Sequence, residues 1–468
     1  MKKSYYYIGV TMLLLALFFA CKSDDDSPIA NTDDDDYVPI NITIEADAGE
    51  TFQDESLFIS VFENDTNIPT DGTVTISAMG TGSVEVVDIN DTPANLLDDV
   101  LQYTASTTYT ETDSFEYTVC DAEGLSCASG QVSIKIFKPI EINLGELPYP
   151  KLSDYNFFYG ELFDLELVPT VIPYEPISTL FTDYAHKQRF VWMPKGVAAN
   201  YVSDGDILNF PESTILGKTF YYDNVLPSNT TKRIETRLLI KKGGEWMFAD
   251  YIWDEAQQEA LLDTEGYGQN VPIEWVHEGE TKSITYRIPS ASECLICHKS
   301  YKLPTPIGPK PQNLNGDYEY GDGTTNQLQK WIEAGYLSNS LPGSIQTVIN
   351  WEDTSEDIEL RLRSYVDINC AHCHVDGGHC GARELRLAFR ESTIYENLGV
   401  CVTPDMTIPG YDETTLVVPG DAESSIMLYR VATSEEEFRM PMVGRSIAHD
   451  EFVALLTDWI NSLDVTCD

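Results

Sequence analysis

The pentapeptide CAHCH at residues 370–374 repeats the pattern of CLICH at residues 294–298, and the two stretches decide how the C-terminal part is interpreted. In each, two cysteines are separated by two residues and followed directly by a histidine. With ten cysteines and seven histidines in 468 residues, a chance match to this pattern is expected about 0.003 times per chain. Two copies therefore indicate that both segments share one chemical role.

A CxxCH motif is typical of covalently attached c-type haem. The cysteines lie one helical turn apart, where they add to the two vinyl groups of one porphyrin edge, and the adjacent histidine lies beneath the ring with a nitrogen towards iron. The predicted attachment residues and iron ligands are Cys294, Cys297 and His298 for the first haem, and Cys370, Cys373 and His374 for the second.

Two other chemistries use paired cysteines. A CxxC pair is half of a tetrahedral zinc site, and two pairs would make a Cys₄ site. Zinc does not require the histidine that follows both pairs. A redox-active dithiol usually lies in a βαβ setting, which these helical segments lack. Haem is therefore the favoured interpretation.

The N-terminus predicts export. Two lysines precede an apolar run at residues 8–20, which is too short to span a bilayer and has the length of a signal-peptide core. Cys21 follows Ala20 directly, as in a bacterial lipobox, so residues 1–20 are expected to be removed and Cys21 to be lipidated. The alternative is an ordinary secretory signal. The expected location is the outer membrane, on its periplasmic or cell-surface side, with a lipid as anchor.

The charge of the chain is strongly acidic. Residues 21–40 carry two aspartate runs and are expected to form a disordered tether. The net charge of −47 excludes nucleic acid as a partner, because phosphate binding needs clustered Lys and Arg. It favours basic or metal-ion partners, and a solubilising surface is the other interpretation.

Residues 41–138 predict an N-terminal β-sandwich. In SFEYTVC at 114–120 and QVSIKIF at 131–137, apolar residues alternate with polar ones, and the six-residue hairpin loop DAEGLS at 121–126 lies between the two runs. With ENDT at 63–66 and YTVCDAEG at 117–124, this stretch resembles bacterial immunoglobulin-like or cadherin-like modules.

Two features of this module concern its loops. Cys120 and Cys127 flank the hairpin loop, where an oxidising compartment would permit a disulfide. Asp88, Asp91 and Asp121 are carboxylates of the kind that bind calcium in such modules, although solvated loop residues are the favoured interpretation.

The rest of the chain completes a multidomain fold. Residues 140–290 predict a β-rich middle domain with dense aromatic residues and no recognisable phosphate loop, nucleophile elbow or HExxH motif. From residue 291 the pattern turns helical. An all-α, cytochrome c-like C-terminal region is predicted, in which residues 291–345 carry the first haem and residues 350–468 form a class I cytochrome c-like domain with the second.

Each haem iron has a sixth coordination position, whose ligand separates an electron carrier from a catalyst. Met440 precedes a proline between a long loop and the last predicted helix, the usual setting of the sixth ligand in class I cytochromes, and Met442 is the fallback. For the first haem, no Met or His lies between His298 and Trp331, and His277 is a weak candidate from the β-rich domain.

Residues 150–465, approximately, resemble bacterial dihaem c-type cytochromes that have an aromatic-rich β half before two CxxCH segments. The stretches that carry the resemblance are VIPYEPISTLFTDYAHKQRFVWMPKG (171–196), KTFYY (218–222), IETRLLI (234–240), YIWDEAQQEA (251–260), TPIGPKPQNLN (305–315), YGDGTTNQLQKW (320–331), VDINCAHCH (366–374) and RMPMVGR (439–445). The resemblance implies electron transfer by two covalently bound haems to a redox partner protein that it does not identify.

Three further cysteines lie near the C-terminus. Cys380 and Cys401 are expected to pair and to staple the loop after the second haem. Cys467 is then left over, so either this pairing is incomplete or Cys467 is a free thiol.

The favoured function is an exported dihaem cytochrome that transfers electrons and is not itself a catalyst. A dihaem enzyme such as a peroxidase, with an open coordination position on the first haem, is the first alternative. A surface binding or adhesion lipoprotein, in which haem is incidental, is the second.

Overall fold

The structure is a computed structural model that describes residues 37–405, 408 and 414–467. The predicted signal peptide, Cys21 and most of the predicted tether lie outside the described residues. Among the described residues, no helix combines the length and the apolar character needed to cross a lipid bilayer. The described chain is multidomain and β-rich, and it begins with an immunoglobulin-like domain.

The N-terminal domain is a sandwich of two sheets. Its strands are β1 (Asp47–Phe52), β2 (Ser56–Ile59), β3 (Thr73–Ala78), β4 (Ser83–Asp88), β5 (Asp99–Thr104), β6 (Thr112–Cys120) and β7 (Cys127–Phe137). One sheet has the order β1-β7-β6-β3, with β1 parallel to β7, and the other has the order β2-β5-β4. This arrangement closes the core between the two sheets.

Alternating burial explains why the β6–β7 hairpin forms. Phe115, Tyr117 and Val119 of β6 are buried, and the residues between them are not. Tyr103 of the opposite sheet stacks on Phe115 with ring centroids 6.1 Å apart, which joins the two layers. At the end of the hairpin, Cys120 is bonded to the cysteine directly opposite it, Cys127.

The middle domain is built on one large antiparallel sheet. Its strands are β8 (Phe158–Tyr159), β9 (Glu166–Leu167), β10 (Ile172–Pro173), β11 (His186–Trp192), β12 (Ile215–Val225), β13 (Thr230–Lys242), β14 (Glu245–Trp253), β15 (Ala260–Leu262), β16 (Gln269–His277) and β17 (Glu280–Ile288). Strands β8 and β9 form a separate pair. The large sheet has the order β10-β11-β12-β13-β14-β15, and β16 and β17 attach beside β12.

Both faces of this sheet are covered. One face carries Phe190, Leu238 and Tyr251, and the chain between residues 147 and 168 packs on it. Gly217 lies opposite Phe190, and a Cβ there would stand 2.0 Å from the Phe190 ring, so only glycine lets that ring lie flat across β12. The other face meets the segment that begins at residue 291.

The C-terminal part contains helices and four short strands. Its elements are α1 (Ala291–Cys297), β18 (Lys299–Ser300), β19 (Leu303–Pro304), α2 (Pro311–Leu314), β20 (Asp317–Tyr320), β21 (Gly323–Asn326), α3 (Gln327–Glu333), α4 (Ile358–Asn369), α5 (Ile426–Ala432) and α6 (Asp450–Ser462). Because β18–β19 and β20–β21 form two small sheets, the all-α prediction is wrong for residues 291–345. These runs are too short to leave a periodic apolar signal.

The CxxCH segments occupy defined helix ends. Helix α1 starts at a capping box, in which the Ser290 hydroxyl accepts from the Glu293 amide and the Glu293 carboxylate accepts from the Ser290 amide. Its last residue is Cys297. Helix α4 is capped by Asp357, whose carboxylate accepts from two amides, and it ends just before Cys370.

The core of the C-terminal part lies between α4, α5 and α6. Tyr365 of α4 stacks on Phe452 of α6 with ring centroids 3.7 Å apart. Trp351 and Trp459 are buried in the same core. Burial of these large aromatic side chains contributes to the packing of α4 against α6.

The predicted disulfide between Cys380 and Cys401 is wrong. Cys401 is bonded to Cys467, with Cα atoms 5.3 Å apart, and Cys380 is free. The chain after α6 returns beside Val400, because Leu463 and Val400 pack into the same core. Cys380 lies elsewhere, beside the second CxxCH motif, because its amide donates to the Cys373 carbonyl. Proximity along the sequence pointed to the wrong partner.

Replacing Cys401 and Cys467 by serine is expected to destabilise the C-terminal part by about 4 kcal/mol, because a bond that closes a 66-residue loop removes much entropy from the unfolded chain. Urea unfolding followed by tryptophan fluorescence measures this change. The matched control is the double serine variant at Cys120 and Cys127, which opens a loop of only 7 residues in the other domain. An unchanged midpoint for the C-terminal transition would contradict the expectation.

Candidate functional site

The two CxxCH segments lie against each other. The Cys373 thiol is 3.5 Å from the Ile296 carbonyl oxygen, and it forms a hydrogen bond with the Cys297 thiol. The ligand atoms of Cys297, His372 and Cys373 all lie within 4.8 Å of one another. Segments that are 76 residues apart in sequence, counted between Cys297 and Cys373, therefore form one centre.

Two cavities open on either side of this centre. Their volumes are about 510 Å³ and 640 Å³, within the range of roughly 300–1,000 Å³ that small-molecule and cofactor sites occupy. Cys294, Cys297 and His298 line the first cavity, and Cys370, Cys373 and His374 line the second. The residues that line both are Cys297, Asn369, Cys370, His372, Val431, Met440, Pro441, Met442 and Val443.

His298 is held as a neutral imidazole. Its Nδ1 is 3.0 Å from the carbonyl oxygen of Thr305, so Nδ1 carries the proton and Nε2 keeps its lone pair. The Thr305 amide donates back to the His298 carbonyl, and the Phe248 ring packs against the imidazole. Burial, followed by the charge of Lys218, lowers the pKa of His298 to about 3. This is the tautomer and charge state that a metal-binding histidine requires.

His374 is neutral for the same main reason but is held differently. Burial lowers its pKa to about 4, with smaller contributions from His372 and nearby arginines. Its Nδ1 is buried without a hydrogen-bond partner. The backbone instead fixes the residue, because the His374 amide donates to the Cys370 carbonyl and its carbonyl accepts from Leu387.

The loop that carries Met440 is tied down by one guanidinium group. Arg445 donates to the carbonyl oxygens of Met440, Ile447, Arg430 and Thr433, at 3.0–3.1 Å. This places the methionine loop over both cavities, which Met440 and Met442 line together. The geometry therefore allows either methionine to serve as a sixth ligand, and Met440 stays a prediction.

Buried carboxylates join the β-rich domain and the first motif to the second. Asp183, which is 2% exposed, accepts hydrogen bonds from the Ser446 amide and hydroxyl and from the Ile447 amide. Asp367 of α4 accepts from the Lys310 ammonium and the Gln312 amide. These contacts hold the walls of the cavities in place.

His277 does not line either cavity. It lies at the end of β16, and its ring packs on Tyr184 with centroids 4.7 Å apart. His449 does line the first cavity, although its Nδ1 is 2.8 Å from the Tyr365 hydroxyl and its Nε2 is 3.4 Å from Glu451. The structure thus gives His277 no position from which to bind the first haem.

Charged residues of the sheet, which the sequence analysis missed, also line the first cavity. Lys218 of β12 and Arg237 of β13 are directly opposite each other on adjacent strands and face this cavity. The only signal in the sequence was Lys218 within GKTF and Arg237 within ETRLL, in stretches that also carry other charged residues.

The residues fit two porphyrins better than a Cys₄ site. Each cavity is lined by both cysteines and the histidine of one CxxCH motif, although Cys297 and Cys370 line both cavities. The walls combine apolar and aromatic side chains with polar and charged groups. The close set at the centre includes one cysteine from each motif and His372, and not all four cysteines.

The candidate calcium residues do not come together. Asp88 lies with Asp98 and Asp99, which the sequence analysis did not single out. Asp121 instead accepts hydrogen bonds from the amides of Leu125 and Ser126 within the hairpin loop, which is a structural role.

Comparison with known proteins identifies the N-terminal domain. Residues 25–135 match the family model of the bacterial Ig domain, a module that is typically extracellular. The chain has no significant match among curated proteins.

Solved structures give distant similarities. An endo-fucoidan hydrolase from glycoside hydrolase family 107 is 10% identical over 53% of this chain, which spans 28% of that chain, with a TM-score of 0.17. An I-band fragment of titin is 6% identical over 54% of this chain and 99% of its own, with a TM-score of 0.16. Extracellular cadherin domains of a protocadherin are 10% identical over 53% of this chain and 49% of their own, with a TM-score of 0.15.

Replacing Asp183 by alanine is expected to loosen the methionine loop and to destabilise the C-terminal part by about 3 kcal/mol, because charged hydrogen bonds are lost and their donors stay buried. Hydrogen exchange of residues 440–447 measures the loosening. Asp458→Ala, at an exposed position of α6, is the matched control. Equal exchange in the two variants would show that Asp183 does not hold this loop.

Proposed function

We propose that this protein is an exported, lipid-anchored dihaem c-type cytochrome that transfers electrons. The observation that carries the proposal is the pair of adjacent cavities, each lined by its own CxxCH cysteines and histidine. The first histidine supports it further, because a backbone carbonyl fixes its tautomer and leaves Nε2 free. The immunoglobulin-like domain would act as a spacer or docking element at the cell surface or in the periplasm.

In this proposal, haem iron supplies a one-electron redox couple. The chain supplies thioether positions at Cys294 and Cys297 in one cavity and at Cys370 and Cys373 in the other. Arg445 would keep the methionine loop in place, and the wall shared by both cavities would favour electron transfer in series between haems held there.

Replacing both cysteines of one motif by alanine is expected to remove one haem and to leave the other attached. Mass spectrometry of the exported protein and the pyridine haemochrome count the haems. Each double variant is the control for the other: one replaces Cys294 and Cys297, the other Cys370 and Cys373. A double variant at Cys120 and Cys127 is a further control and should keep both haems. The proposal would be refuted if the mass of the exported wild-type protein shows no covalently attached haem.

Met440→Leu is expected to abolish the charge-transfer band that methionine–iron ligation produces at the red end of the visible spectrum, because the second haem would lose its sixth ligand. Optical and paramagnetic resonance spectra of the ferric protein test this. Met442→Leu is the matched control, since it lines the same cavities. If the band survives in Met440→Leu and disappears in Met442→Leu, the ligand is Met442.

Two alternatives make different predictions in the same spectra. A peroxidase would have a five-coordinate first haem and would turn over peroxide. An adhesion lipoprotein would keep its ligand binding after both cysteine pairs are replaced.

A metal centre without haem is a second candidate function. The ligand atoms of Cys297, His372 and Cys373 are close enough to bind one zinc ion together. This function would be favoured if haem-free wild-type protein binds one zinc ion per chain and the His372→Ala variant binds none. Covalent haem on Cys297 and Cys373 would exclude it, because thioether sulfurs no longer supply thiolate ligands.

A further inference from the structure

An unusual row of cations crosses the sheet beneath the first cavity. Arg189 of β11, Lys218 of β12 and Arg237 of β13 are directly opposite one another on adjacent strands, so their side chains share one face. Like charges in directly opposite positions are destabilising. Such a row persists only where negative charge compensates it.

Two members of the row have their own carboxylates. Arg189 pairs with Glu175 at 2.8 Å, and Arg237 pairs with Glu235, which is completely buried and also accepts a hydrogen bond from the Tyr286 hydroxyl. The next residue in the row, Asp250, lies opposite Arg237 on β14. Burial and Glu235 raise the pKa of Asp250 well above its usual range, which disfavours its charged form beside Arg237.

Lys218 has no such partner. Among the described residues its amine has no hydrogen bond and no ion pair. Its Nζ lies 5.6 Å from the centroid of the Phe220 ring. Lys187 on the same face donates to the Ala185 carbonyl, which carries no charge. Burial, followed by the charges of Arg189, Arg237 and Lys187, lowers the pKa of Lys218 well below its usual range, because no anion lies beside its amine. Lys218 is therefore the lysine of this row that lines the cavity without a carboxylate partner among the described residues.

Two carboxylates, Glu293 and Glu436, line the cavity, and neither pairs with Lys218 among the described residues; Glu436 is exposed. Glu293 is engaged by Arg287 at 2.9 Å, and Arg439 adds a further cation whose Nε is buried without a hydrogen-bond partner. In a chain of net charge −47, this cavity is a local positive region.

We propose that Lys218, flanked by Arg237, forms an anion site in the first cavity that binds a carboxylate or a small oxyanion from outside the chain. The inference rests on the proposed function where that anion is a propionate group of the first haem. The other source of a negatively charged oxygen group at this site is a free oxyanion that enters the cavity from solution. An ammonium group in a partly buried site gains most from a charged acceptor.

The test compares Lys218→Met, which removes the charge, with Lys218→Arg, which keeps it. Lys195→Met, at an exposed position, is the control for loss of a lysine elsewhere. Full-length, haem-loaded proteins are titrated electrochemically under optical detection, with and without inorganic phosphate. Lys218→Gln provides a second neutral variant should the methionine variant not fold.

If propionate occupies the site, the neutral variants keep both haems but lower the midpoint potential of one, because removal of a nearby cation favours the ferric state. Phosphate then has no effect on the wild-type protein. If a free oxyanion occupies the site, phosphate perturbs the spectrum of the first haem, and the neutral variants weaken its binding by about tenfold or more.

The anion site would be overturned if the neutral Lys218 variants have the same midpoint potentials as Lys195→Met and no protein in the series responds to phosphate. Failure of the proposed function is a separate result, because mass spectrometry would then find no haem. In that case phosphate binding to the haem-free wild-type protein, measured by calorimetry against the neutral variants, still decides whether Lys218 binds anions.

Discussion

Buried carboxylates that join distant parts of the chain are the constraint on which the two cavities depend. Asp183 of the β-rich domain holds residues 446 and 447, and Asp367 of α4 holds Lys310 and Gln312. Each carboxylate is almost completely buried and is satisfied by several donors. Removal of one partner from such a network leaves the other groups desolvated, which costs several kcal/mol. The cavities therefore exist only while the β-rich domain, the first motif and the second motif are packed together.

This packing changes how the β-rich domain is understood. One face of its sheet is an ordinary apolar core around Phe190 and Tyr251. The other face supplies chemical groups to the first cavity, through Lys218 and Arg237. The domain therefore places charged side chains near His298 in addition to supporting the walls of the cavity. The same sheet explains why a strongly acidic chain can contain a positive cavity.

Much of the fold was predictable where residues repeat with a regular period. The alternation in β6, with Phe115, Tyr117 and Val119 buried, follows directly from the pattern. The amphipathic residues of α6, such as Phe452 and Trp459, also lie in the core. The prediction was wrong for residues 291–345, where strands of two to four residues are stabilised by neighbouring segments and leave no periodic signal. It was also wrong for Cys401, whose partner Cys467 is 66 residues away.

For the candidate site, the sequence by itself determined the reactive groups: two cysteine pairs with their histidines, and methionines before and after Pro441. The spacing of the two cysteines and the histidine is a local property of the chain, so the five residues of a CxxCH motif define it completely. Only the tertiary structure decided that the two motifs share a wall, that His277 lies outside the cavity, and that Lys218 faces it. Those facts depend on strand register and on buried contacts between distant segments, and no local pattern records which residues will meet across a sheet.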